Sequence, residues 1–72
     1  MFKEYDIVYS SIDLSEKIIT GTKGVILMVL DSENEIYEVE FVNKNNETIE
    51  VTEVKGTQLK NKKAFYYLIG VG

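Results

Sequence analysis

One segment leaves this chain little choice of fold. In Ile36-Tyr37-Glu38-Val39-Glu40-Phe41-Val42 the side chains alternate, Tyr37, Val39 and Phe41 against Glu38 and Glu40. A period of two fits a half-buried β-strand, because successive residues of a strand face opposite sides. The neighbouring segments agree. Residues 5–9 are short and rich in β-formers, residues 25–30 are an unbroken apolar run, and residues 47–54 alternate again. An unbroken run of that length suits a strand covered on both sides. Only residues 11–19 carry a helix-start signal, with Ser11 or Asp13 as N-cap, and no sustained i, i+3, i+4 face follows. That supports at most one short helical turn. The fold class expected is therefore all-β, a small barrel of about five strands, because closure removes the exposed edges so short a chain cannot otherwise protect. Its 72 residues are read as one domain, with residues 60–72 as an extension that supplies the last strand.

The alternation also sets a register. If Phe41 and Val39 share their face with Ile49 and Val51, then 41 pairs with 49 and 39 with 51. Such a hairpin needs an odd-length loop, usually a type I turn closed by a left-handed residue, which Asn45 or Asn46 tolerates. A bulged hairpin is predicted, with Glu40 beside Glu50 and Glu38 opposite Thr52 on the outer face. The core expected from this phase is Ile7, Val25, Leu27, Val29, Tyr37, Val39, Phe41, Ile49, Val51 and Leu59.

Composition narrows the chemistry. The chain has no His, Cys, Arg or Trp. Thiolate nucleophiles, imidazole bases, zinc sites of N and S ligands and guanidinium forks on phosphate are all excluded. Glu40 and Glu50 on an open face would keep ordinary carboxylate acidity, so they make a poor acid/base pair. Asp31-Ser32-Glu33-Asn34-Glu35 is rich in oxygen but lacks the glycine and terminal glutamate of a calcium loop. Gly21-Thr22-Lys23-Gly24 lacks the spacing of a phosphate loop and reads as a tight turn with glycine at positive φ. No catalytic residue, metal site or cofactor is expected, and the chain reads as a non-enzyme.

Charge is unevenly distributed. Net charge is −4. Asp31, Glu33, Glu35, Glu38, Glu40, Glu47, Glu50 and Glu53 face only Lys44 in the middle, whereas Lys55, Lys60, Lys62 and Lys63 cluster later without an acid. An acidic domain repels phosphate backbones, which disfavours nucleic acid as a general partner. The opening residues hold acids where a secretion signal needs bases, and no apolar run approaches the roughly 20 residues of a membrane span. A soluble, cytoplasmic protein with no membrane partner is the expectation, and the absence of cysteine suits a reducing compartment.

The pattern Tyr5-Asp6-Ile7-Val8, Gly21-Thr22-Lys23-Gly24-Val25-Ile26, Tyr37-Glu38-Val39-Glu40-Phe41, Val51-Thr52 and Gln58-Leu59 resembles a family of small bacterial proteins of unknown function. The resemblance runs from Glu4 to Leu59 and implies an SH3-like barrel. Family members look like companions of toxin or defence genes, which implies an antitoxin or immunity role. The chain departs from that family after Gln58-Leu59, where it continues through Ala64-Phe65-Tyr66-Tyr67-Leu68-Ile69-Gly70-Val71.

The reading that results is a non-catalytic protein-binding module, an immunity or antitoxin protein whose acidic face covers a basic toxin domain. Its contact residues would be Glu38, Glu40 and Glu50, with Tyr66 and Tyr67 as aromatic anchors. The alternative is an accessory SH3-like module that binds a larger enzyme or a ribonucleoprotein through Lys60, Lys62 and Lys63. The apolar tail, residues 64–71, closes the barrel, pairs with a second copy as a homodimer or serves as a docking edge for another protein, since a bare β-rich edge invites aggregation.

Overall fold

A computed structural model describes residues 1–61. The expected all-β class is what forms: five antiparallel strands in one sheet, curled into a half-barrel, with a single 3-10 turn among the described residues. The strands are β1 (Ile7–Ser10), β2 (Lys23–Asp31), β3 (Ile36–Val42), β4 (Thr48–Lys55) and β5 (Leu59–Lys60), in the spatial order β4-β3-β2-β1-β5. The 3-10 turn, Gly56–Gln58, carries the chain from one edge of the sheet towards the other. Its ends are tied down by Gly56 N–H donating to the Glu35 carbonyl at 2.8 Å and Ser11 N–H donating to that of Gln58 at 2.8 Å. The tail, with Tyr66 and Tyr67, and the tail's three expected roles lie outside the described residues.

Val8, Ile18, Ile26, Tyr37, Val39, Phe41, Val54 and Leu59 form the core. Tyr37, Val39, Phe41 and Leu59 are where the alternation put them. The other core expectations need correction. Ile7 and Val51 are exposed, Val25 and Leu27 are half-buried, and Val29 and Ile49 only flank the core. Val8, Ile26 and Val54 take the inner positions instead.

The cause is a change of phase at bulges. Tyr37 pairs with Val54, Val39 with Thr52 and Phe41 with Glu50, but Val42 pairs with Thr48, which leaves Ile49 over. One extra residue on a strand turns every later side chain to the opposite face. On β2, pairing with β3 skips Leu27 and Leu30 in the same way. An unbroken apolar run carries no alternation to announce this.

The hairpin between β3 and β4 has the predicted odd loop. Asn46 N–H donates to the Asn43 carbonyl at 2.9 Å, Asn43 N–H to that of Glu47 at 2.9 Å, and Asn46 sits at φ 61°. Asn43 Oδ1 accepts from the N–H groups of Asn45 and Glu47, at 2.9 and 3.0 Å. Gly21, at φ 88°, makes the turn expected of it, whereas Gly24 lies within β2.

No helical turn forms in residues 11–19. Ser15 Oγ accepts from the N–H groups of Lys17 and Ile18, which folds the loop back and drops Ile18 into the core at 1% exposure. Asp13 Oδ1 accepts from Thr20 N–H at 2.8 Å and Thr20 Oγ1 at 2.9 Å, stapling the end of the same loop. Asp31 does likewise for the β2–β3 turn, accepting from Asn34 N–H at 3.1 Å and Asn34 Nδ2 at 2.8 Å.

These bonds favour the charged carboxylates. The backbone and then the side chain of Thr20 hold Asp13 below the ordinary value of 3.8, and the side chain and then the backbone of Asn34 do the same for Asp31. A lowered folded value means stability that is present above the unfolded value and lost as pH falls through the folded one. The melting temperature is therefore expected to fall as pH is lowered below about 4, and to fall less steeply in Asp13→Asn/Asp31→Asn. Circular dichroism melts between about pH 5 and pH 2 check this; parallel curves for the two proteins would remove both staples from the acid response.

Candidate functional site

Two surfaces stand out, on different parts of the sheet. The first is its outer face. Register places Ile7, Val25, Glu40 and Val51 in one row across β1 to β4, and Met28, Glu38 and Glu53 in the next. Ile7, Met28 and Val51 are 44%, 48% and 47% exposed, so this face combines apolar side chains with carboxylates.

Of the three acids predicted to share the face, Glu38 and Glu40 do. Glu50 does not: it pairs with Phe41, so its side chain leaves β4 on the core side, at the rim. Glu53 takes the place on the outer face, directly opposite Glu38. The Glu40–Glu50 and Glu38–Thr52 pairs of the uniform register are accordingly replaced by Glu40–Val51 and Glu38–Glu53. Glu40 accepts a short hydrogen bond from Thr48 Oγ1. Glu38 and Glu53 make no side-chain hydrogen bond or ion pair among the described residues. Like charges directly opposed on a sheet repel, by a few tenths to about 1 kcal/mol.

The second surface is a cleft of about 770 Å³ between the β1–β2 loop and the β3–β4 hairpin. Lys17, Lys23 and Lys44 line it together with Thr20, Gly21, Thr22, Asn43 and Asn46, above Ile19, Val42 and Ile49. No Asp or Glu is among the lining residues. Lys23 projects from β2, where its backbone is held between Tyr9 and Val42, and its Nζ donates to Asn46 Oδ1 at 3.3 Å. Sequence reasoning missed this cleft. Its lysines are scattered along the chain and meet only because β2 and the hairpin lie side by side, and no spacing rule signals that.

Among the described residues no group of three or more carboxylates is placed to hold a metal ion, and no helix is long and apolar enough to cross a membrane. The fold is a small antiparallel β half-barrel. The chain belongs to the family described as Domain of unknown function (DUF4926), which it matches over residues 4–61. No curated protein and no solved structure matches it.

Proposed function

We propose that this protein is a non-catalytic binding module whose outer sheet face receives a basic protein partner. The observation that carries the reading is the composition of that face: Ile7, Met28 and Val51 stand exposed around Glu38, Glu40 and Glu53, with Glu38 and Glu53 opposed and unneutralised among the described residues. Apolar anchors supply area to bury, and unpaired carboxylates steer a cationic surface towards them. A lysine or arginine of the partner placed between Glu38 and Glu53 would convert their repulsion into attraction.

The finer form of the proposal is an immunity or antitoxin protein of the bacterial cytoplasm. Toxins that cleave nucleic acid need a cationic cleft, and an acidic face of this kind can occlude one. The cysteine-free chain suits a reducing compartment.

Capture from cytoplasmic extract with the tagged protein, run beside Glu38→Lys/Glu40→Lys/Glu53→Lys, tests both forms. A basic protein held stoichiometrically by the native chain is expected to be lost from the variant, with association slowed about tenfold or more in low salt. Toxicity of that protein when expressed alone would establish the antitoxin form. Equal retention by native chain and variant would take the outer face out of the mechanism.

A further inference from the structure

We propose that the lysine-lined cleft is a binding site for a small phosphorylated molecule of about nucleotide size. Three of the eight basic residues of a chain with net charge −4 converge there, and no acid lines the walls. Its volume of about 770 Å³ lies within the roughly 300–1,000 Å³ of typical small-molecule sites.

The acids nearest in sequence do not enter the lining: Glu16 and Glu50 adjoin Lys17 and Ile49, and two others are bonded to the walls. Asp13 is bonded to Thr20, and Glu47 Oε1 accepts from Asn43 Nδ2 at 3.0 Å. Lys17 and Lys44 have no side-chain partner among the described residues. Lysines on both walls of one opening give a multivalent anion more than one cationic donor from which to accept charge-assisted hydrogen bonds. Lysine acts on phosphate as a mobile point charge, so it suits a cluster of phosphate oxygens better than a planar carboxylate fork.

The rest of the lining argues for an organic body on that phosphate. Ile19, Val42 and Ile49 provide apolar surface, while Asn46 Nδ2 and the acceptor lone pairs of the Thr20 and Thr22 hydroxyls are left for hydrogen bonds to a polar ring. The walls are already shaped. Thr22 donates through N–H and Oγ1 to the Ile19 carbonyl, at 3.0 and 2.7 Å, and the opposite wall is the bonded turn around Asn43. A polynucleotide is the less favoured occupant, because the acidic stretch of the chain would repel its continuing backbone.

The test is a titration of the ¹⁵N-labelled protein with ATP in metal-free, low-salt buffer, followed by amide shifts. Saturable shifts confined to residues 17–23 and 42–49 are expected. Lys17→Gln/Lys23→Gln/Lys44→Gln is expected to bind about tenfold or more weakly, and Lys3→Gln/Lys55→Gln unchanged. Neutral adenosine should bind about tenfold or more weakly than ATP, and pyrophosphate more weakly than ATP because it lacks the organic body. The variant's own spectrum reports its fold, and Lys44→Gln on the exposed hairpin repeats the test with little risk to folding. Unsaturable or dispersed shifts, equal binding by the triple variant, or a tighter fit of single-stranded DNA than of ATP would overturn the proposal.

Discussion

Phe41→Ala is expected to lower the stability of this protein by about 3–5 kcal/mol, enough to remove most of its stability at room temperature. Phe41 is fully buried, at 0% exposure, and lies in a row with Val8 and Gly24 on one side and Glu50 on the other. Removing its ring leaves a cavity in a core of eight buried side chains, and neighbours on so small a sheet cannot all collapse into it. A domain of this size holds only about 5 kcal/mol in reserve. Two further substitutions make the measurement decisive about register. Val54→Ala, at 3% exposure, should cost about 1–3 kcal/mol, whereas Val51→Ala, at 47%, should stay within about 0.5 kcal/mol. Urea unfolding followed by circular dichroism reads all three. If Val51 proved as sensitive as Val54, the bulge at Ile49 would be wrong and the uniform register right.

That contrast marks where the sequence stops being informative. The alternation of β3 placed Tyr37, Val39 and Phe41 in the core, and the asparagine-rich turn announced a left-handed residue that Asn46 provides. Both are local properties, written in residues adjacent on the chain. Phase across strands is not local. Residues 47–54 alternate in either register, and only the extra residue at Ile49 decides that Val54 faces in while Val51 and Glu53 face out. Leu27 and Leu30 do the same on β2, hidden in a run with no polar residue to mark a face. Ile18 was unreadable for another reason, since it fills the core from an irregular loop that has no period. The candidate sites inherit these limits: half of the outer face was legible as an acidic strand, but its true partner, Glu53, depended on the bulge. The lysine cleft depends on tertiary proximity alone.

Gly24→Ala is the second large effect expected, and its sign is the informative part. Glycine inside a strand weakens it through backbone entropy, so alanine at such a position ordinarily stabilises by about 0.5–1 kcal/mol. Gly24 is not at positive φ, and nothing in its backbone demands glycine. Space does. A Cβ there would stand 2.7 Å from Val39 Cγ1, 3.0 Å from Phe41 Cδ1 and 3.1 Å from Phe41 Cε1. Both neighbours are fully buried, so neither is the free end of a flexible chain that can swing into solvent. Glycine thus lets the Phe41 ring lie across β2, a cross-strand arrangement in which the aromatic ring covers the exposed backbone. Overpacking should outweigh the entropic gain and leave Gly24→Ala destabilised by about 1–3 kcal/mol. A double-mutant cycle with Phe41→Leu isolates the cause. In the leucine background the alanine should cost less, with a coupling of about 0.5–3 kcal/mol between the two sites. A stabilising Gly24→Ala, or additive effects in the cycle, would mean that the ring does not rest on this glycine and that the curl of the sheet at β2 is set by its bulges alone.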